Sequence, residues 1–95
     1  MKVTCPPEFV REALGQTGPV RDGLSKVLRI AGELRFGDLL NHQGIHLEKL
    51  HGKIDPGTKK PLYSLRITHA ARAIAIVDGD FLVLMHIEPD HDRAY

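Results

Sequence analysis

The last third of the chain carries the side chains whose types could do chemistry together. Two arginines, Arg66 and Arg72, are followed by a closing cluster of His91, Asp92 and Tyr95. The planar guanidinium group can hold two phosphate oxygens and stays charged at any working pH. The imidazole titrates near neutrality and can move a proton. The segment therefore combines phosphate-binding groups with proton-transfer groups.

Three predicted strands must position these side chains. Apolar and polar residues alternate over 63–68, which predicts a strand with one buried face and one wet face that carries Arg66. A second strand is predicted over 73–77, and Asp78-Gly79 suits the tight turn of a hairpin. The third run, 81–87, is apolar on both faces and predicts a central or covered strand that ends at Pro89.

The N-terminal half predicts helices that cover this meander. Lys2 to Cys5 could form a short strand, ended by Pro6. Apolar residues then recur at helical spacing in two segments that begin near Pro7 and Pro19. We predict a helical hairpin over about 7–43, a loop over about 44–61 and a β-meander over about 62–88. The fold class is α+β, with the helical hairpin packed on a small antiparallel sheet in a single domain, 1–95.

Composition excludes several classes of protein. The 95 residues fit one domain, and the formal net charge of +1 counts against coating nucleic acid through bulk electrostatics. The charge is nevertheless polarised, because 49–72 is strongly basic and 78–92 carries only acidic charges. A single cysteine, Cys5, forms no internal disulfide, and no apolar run could span a bilayer. We expect a reduced cytoplasmic protein without a signal peptide.

Several separated motifs occur in the order typical of one family. They are E-K-L-x-G from Glu48, Y-S-L-R-I from Tyr63, A-A-R-A-I around Arg72, D-G-D from Asp78 and the closing H-D-R-A-Y from His91. With the helical hairpin before them, these motifs resemble the RelE/ParE toxin superfamily of bacterial toxin-antitoxin modules. The likeness covers nearly the whole chain.

The resemblance implies a toxin of the RelE-like branch that cuts messenger RNA on the ribosome without a metal or other cofactor. Its partners would be a cognate antitoxin, in a hetero-oligomer, together with ribosome and mRNA. In such ribonucleases the 2′-hydroxyl attacks the adjacent phosphorus, which requires a base, cations and an acid. Carried to this chain, the pattern makes Arg66, Arg72, His91 and Tyr95 catalytic, and assigns substrate binding to Lys59, Lys60, Ser64 and Asp92. His91 is the candidate for proton transfer, oriented by Asp92.

Other interpretations use the same residues. Arg72 could pair with Asp90 or Asp92 and have a purely structural role. His86, Glu88, His91 and Asp92 are all metal-ligand types, although their spacing is only suggestive. His86 continues the inward parity of the strand and is predicted to be a half-buried histidine.

Departures from the family pattern also favour a non-catalytic alternative. Ser64 stands where strongly ribonucleolytic relatives place a lysine, and Pro89 and Asp90 stand where some relatives carry arginine. The cationic clamp is therefore thinner than in those relatives. A gyrase poison of the ParE type, or an inactive antitoxin-bound module, would need no such clamp.

Overall fold

A five-stranded sheet forms one side of the molecule, and helices form the other. The computed structural model describes residues 1–89. The order of elements is β1 (Lys2–Thr4), α1 (Pro7–Leu14), α2 (Gly18–Glu33), α3 (Phe36–Leu40), β2 (Glu48–Ile54), β3 (Pro61–Arg66), β4 (Arg72–Asp78) and β5 (Phe81–Glu88).

The sheet has the strand order β1-β5-β4-β3-β2. Strands β2 to β5 form an antiparallel meander, and β1 joins its far side parallel to β5. The predicted α+β class is confirmed. No helix within residues 1–89 is long and apolar enough to cross a membrane.

The helices begin where proline favours a first turn. Pro7 and Pro19 each occupy one of the first positions of their helices, where a missing N–H costs nothing. The second helix does not continue to residue 43 as predicted. It ends at Glu33 because Leu34 and Arg35 adopt extended backbone, and Phe36 starts a separate short helix, α3. The break lies between Gly32 and Gly37, the two weak points in the sequence.

The prediction of a loop over 44–61 is wrong for its middle part. Glu48–Ile54 forms β2, the edge strand, which pairs with β3 through Glu48 opposite Ser64 and Ile54 opposite Pro61. The register shifts within β2, where Gly52 takes a positive φ of 69°. An edge strand with a single buried side chain, Leu50, needs no apolar alternation. This explains why the hydrophobic pattern of the sequence did not predict a strand here.

The hydrophobic core lies between the helices and one face of the sheet. Phe9 of α1 and Leu24 and Val27 of α2 pack with Leu65, Leu82 and other residues of the strands. Helix α3 adds an edge-to-face contact between the rings of Phe36 and Tyr63, with centroids 5.7 Å apart. The core fixes the sheet against the helices and thereby sets the relative positions of the strand ends.

A β-bulge changes the parity of β5. Ala75 of β4 pairs with Leu84, but the preceding Ile74 pairs with His86, so Met85 is the extra residue. The prediction that His86 follows Leu84 into the interior is therefore wrong. Its side chain is 64% exposed and lies 3.8 Å from the carboxylate of Glu12.

The β4–β5 hairpin is present with its turn one residue later than predicted. Asp78 pairs with Phe81, which leaves Gly79 and Asp80 as the two turn residues. Gly79 has a φ of 59°, and Asp80 has no positive φ. A glycine at the first turn position is typical of the type II′ hairpin.

Candidate functional site

The two arginines predicted to hold phosphate are direct cross-strand neighbours. Arg66 is the last residue of β3, and Arg72 is the first residue of β4, and the strand register pairs them. Directly opposed residues of an antiparallel pair have Cβ atoms about 5 Å apart on the same face. Two like charges at this separation repel unless an anion lies between or beside them.

Arg72 is almost completely buried, with 5% of its surface exposed. Its Nη1 donates a hydrogen bond to the carbonyl oxygen of His46, at 3.3 Å. Glu88 is its cross-strand neighbour on β5, but no carboxylate among residues 1–89 forms an ion pair with it. This hydrogen bond links the sheet to the segment before β2. Because burial removes water from around the charged guanidinium, an anionic partner would stabilise it.

Arg66 lies at the boundary between the sheet and helix α2. Its backbone N–H donates to the carbonyl oxygen of Ile45, at 2.6 Å. Its side-chain Nε is buried and has no hydrogen-bond partner in the described part of the chain. The residue lines a cleft of about 190 Å³ whose opposite wall is α2, including Lys26.

The C-terminal candidates come after β5 in the sequence. His91, Asp92 and Tyr95 lie outside the described residues. Strand β5 ends at Glu88, directly opposite Arg72. The chain therefore leaves the sheet next to the arginine pair, and the roles of these three side chains stay predictions.

The remaining predicted substrate-binding residues are not near the arginines or are not accessible. Lys60 precedes β3 and lies 3.8 Å from Asp78, at the opposite end of the strand pair. A six-residue strand spans roughly 20 Å, so Lys59 and Lys60 do not converge with Arg66. Ser64 is fully buried, and its hydroxyl has no partner among the described residues. The sheet face that was expected to be exposed to solvent is covered at this position, so Ser64 is not placed to contact a substrate.

Among residues 1–89, Cys5 and Asp55 have shifted pKa values, and both lie away from the arginines. Hydrogen bonds from the backbone N–H and then the hydroxyl of Thr58 lower the pKa of Asp55. Burial raises the pKa of the Cys5 thiol, which keeps it protonated and a weak nucleophile near neutral pH. Residues 1–89 contain no group of three or more side chains that could hold a metal ion.

Sequence reasoning missed two residues at this end of the molecule. Lys26 of α2 and His69 of the β3–β4 turn line the same cleft as Arg66. His69 lies between two predicted strands with no motif around it, so nothing in the sequence pointed to it. Gly23 is the sequence feature that could have indicated this cleft, since a glycine inside a helix often marks a close approach to another segment.

Comparison with solved structures found a protein of similar fold. No protein-family model matches the sequence, and no curated protein matches it. The structure is similar to that of a copper-bound single-site mutant toxin from Helicobacter pylori, with a TM-score of 0.55 and 17% sequence identity. The match covers 100% of this chain and 99% of that chain. The chain therefore shares the fold of that protein. At this identity the likeness shows the fold alone.

Proposed function

We propose that this protein is the toxin of a bacterial toxin-antitoxin module and an endonuclease that cuts messenger RNA on the ribosome. The observation that carries the proposal is the cross-strand pairing of Arg66 with Arg72. Two guanidinium groups at one strand end suit a phosphodiester, whose charge rises during cleavage. Further support comes from the full-length likeness to a toxin.

The proposed reaction needs no metal. The ribose 2′-hydroxyl loses its proton to a base and attacks the adjacent phosphorus, and the bond from phosphorus to the 5′-oxygen breaks. The products are a 2′,3′-cyclic phosphate and a 5′-hydroxyl, whose oxygen receives a proton from an acid. Arg66 and Arg72 stabilise the extra charge on the phosphorane oxygens.

The proton transfers are assigned to the C-terminal segment. His91 is the proposed acid or base because its imidazole titrates near neutrality, with Asp92 as its orienting carboxylate. Tyr95 is proposed to stack on a base of the RNA. The exit of the chain from β5 at Glu88, opposite Arg72, is compatible with these roles.

The first test replaces Arg66, since Arg72 also has a structural hydrogen bond. Arg66→Gln removes the charge and keeps a side chain of similar reach. We expect it to abolish the growth arrest that follows induction of the wild-type protein, while the thermal unfolding temperature changes little. Lys53→Gln, on exposed β2, is the matched control and should arrest growth normally. Full toxicity of Arg66→Gln would show that the arginine pair is not the cleavage site.

One observation favours a non-catalytic function instead. The burial of Arg72 and its bond to the His46 carbonyl are what a structural arginine would show. In that case the protein would poison a target such as DNA gyrase by contact. Arrest of DNA supercoiling with intact messenger RNA after induction would favour this alternative, and translation-dependent cuts in messenger RNA would exclude it.

The proposed partner is a cognate antitoxin that neutralises the toxin in a hetero-oligomer. Exposed apolar side chains on the helices, including Val10 and Leu14, are available to a segment that folds on binding. Expression of the gene with its neighbouring reading frame tests this. Copurification of the neighbour's product and loss of toxicity are expected, whereas unchanged toxicity would contradict the proposal.

A further inference from the structure

The segment before β2 places a histidine beside the arginine pair. The carbonyl oxygen of His46 accepts the hydrogen bond from Nη1 of Arg72, at 3.3 Å. The imidazole of the same residue has its Nε2 3.7 Å from a carboxylate oxygen of Glu48, the first residue of β2. A histidine, a carboxylate and a buried guanidinium therefore meet at the end of the sheet where β3 ends and β4 begins.

We propose that His46 is the base of the RNA cleavage and that Glu48 is a positioning residue that orients its imidazole. This inference rests on the proposed function. Nδ1 of His46 takes the proton of the ribose 2′-hydroxyl as the bond from the 2′-oxygen to phosphorus forms. The Glu48 carboxylate stabilises the resulting imidazolium. As the bond from phosphorus to the 5′-oxygen breaks, His91 gives that oxygen its proton, and exchange with water later restores both rings.

The strand register places the carboxylate and the arginines on one face of the sheet. Glu48 lies directly opposite Ser64, and directly opposed residues share a face. Arg66 is two residues beyond Ser64 on β3 and shares that face, as does its partner Arg72. The alternate residue Leu65 belongs to the hydrophobic core, so this face is turned away from the helices. A phosphodiester held by the arginines here lies on the side that carries the carboxylate and its imidazole.

The imidazole is accessible and has a nitrogen available for a proton. The side chains of His46 and Glu48 are 48% and 46% exposed. Nδ1 of His46 takes part in no hydrogen bond within residues 1–89. A carboxylate beside Nε2 favours the tautomer with its proton on Nε2, which leaves the Nδ1 lone pair free. The separation of 3.7 Å is an ion-pair distance, and such contacts often tighten when substrate binds.

The backbone around His46 is held in a conformation that few side chains adopt. His46 has a φ of 50°, in the left-handed region. Its N–H donates to the carbonyl oxygen of His42, at 2.9 Å, and the preceding carbonyl, of Ile45, accepts from the Arg66 N–H, at 2.6 Å. The Ile45 N–H donates to Nδ1 of His42, at 3.1 Å. Strained backbone imposed by its surroundings is concentrated at functional sites. The turn thus fixes the imidazole before a substrate binds.

A second histidine nearby supplies the matched control. His51 lies on β2 and is exposed. It forms no ion pair and no side-chain hydrogen bond within residues 1–89, and its φ is not positive. Replacement of His51 therefore removes an imidazole from the same strand region without touching the arginines.

Cleavage of a messenger RNA by purified ribosomes and the protein tests the role of the imidazole. His46→Asn removes the ring and keeps a residue type that tolerates a positive φ, so its carbonyl can still bind Arg72. We expect kcat to fall about 100-fold or more, while KM and the thermal unfolding temperature change little. His51→Asn should cut at the wild-type rate. Glu48→Gln loses the charge that stabilises the imidazolium and should lower kcat by less than His46→Asn.

His46→Gly separates proton transfer from a structural role. Glycine adopts a positive φ without strain, and loss of the ring leaves space for free imidazole. Added imidazole should restore part of the lost cleavage rate in a saturable way, and it should not accelerate Arg66→Gln. A folded His46→Gly that imidazole does not rescue would show that the residue acts only through its bond to Arg72, and would overturn the assignment.

The outcomes separate this inference from the proposed function. If the wild-type protein cuts messenger RNA and His46→Asn cuts as fast as His51→Asn, the inference is wrong and the proposed function stands. If the wild-type protein leaves messenger RNA intact in the presence of ribosomes, the proposed function is wrong, and the role of His46 as a base is overturned with it.

Discussion

At the scale of single residues, Gly23 decides how closely helix α2 approaches the β3–β4 turn. Its missing side chain allows the Ile67 backbone to lie where a Cβ would otherwise be. The neighbour there includes a backbone carbonyl, which cannot move without disturbing the turn that follows Arg66. The requirement for glycine is therefore one of space, since Gly23 has no positive φ.

Gly23→Ala should destabilise the protein because the added methyl group forces α2 and the turn apart. We expect a loss of about 1–3 kcal/mol in the free energy of unfolding, measured by urea denaturation. Gly32→Ala is the matched control in the same helix, where a Cβ meets no atom within 4 Å. It should be neutral or stabilising by up to about 1 kcal/mol. Equal effects of the two substitutions would contradict the close approach.

The residue scale also shows what the sequence could reveal about the site. Arginines spaced on either side of a short turn are expected to meet across adjacent strands, and Arg66 and Arg72 do so. The burial of Ser64 could not be predicted, because alternation assigned it to a wet face. Burial of a polar residue within a strand depends on what covers both faces of the sheet, which the local pattern does not contain.

At the scale of elements, helix α1 closes the part of β5 that β1 does not cover. Strand β1 pairs only with Phe81, Leu82 and Val83. Farther along β5, the Ile87 N–H donates to a carboxylate oxygen of Glu12 on α1, at 2.7 Å. The side chain thus replaces a missing neighbouring strand and protects an exposed edge from pairing with another chain.

Glu12→Ala should expose this edge. The Ile87 N–H would lose its acceptor while partly buried, which we expect to cost about 1–3 kcal/mol of stability. Hydrogen exchange of the Ile87 amide should accelerate more than that of core strand amides. Glu12→Gln keeps an oxygen acceptor and should cost less. If the alanine variant leaves Ile87 exchange unchanged, Glu12 does not cap the strand.

The turn between β2 and β3 carries an acid-sensitive contact. The hydrogen bonds that Thr58 donates to the Asp55 carboxylate hold the pKa of Asp55 below its usual value of 3.8. A lowered folded pKa contributes stability above the unfolded value and loses it as the pH falls through the folded value. The Thr58 amide signal should therefore titrate with a midpoint below 3.8, and this titration should vanish in Asp55→Asn. A midpoint at or above 3.8 would contradict the contact.

Element boundaries were predictable where they depend on local chemistry. Pro7 and Pro19 favour helix starts, and Gly79 favours a tight hairpin turn, so these features could be predicted. Strand β2 and the bulge at Met85 could not, since each depends on a partner strand distant in the sequence. The bulge alone reverses the direction of His86, which shows how one extra residue changes a site prediction.

At the scale of the whole molecule, the arginine pair and the cleft between α2 and the β3–β4 turn lie at one end of the sheet. The Lys60–Asp78 pair lies at the other end, with the acidic β4–β5 turn beyond it. Both ends carry mixed charge, because Glu88 lies opposite Arg72 at one end and Lys60 lies beside Asp78 at the other.

Mapping of RNA ends after induction shows whether the protein cuts messenger RNA through the arginine pair. Cells that produce the wild-type protein, Arg66→Gln or Lys53→Gln are compared for new 5′-hydroxyl and 2′,3′-cyclic phosphate ends within translated messages. We expect abundant ends that depend on translation for the wild type and Lys53→Gln, and none for a folded Arg66→Gln. Growth arrest by the wild type with intact messages, or the same ends from Arg66→Gln, would contradict this expectation.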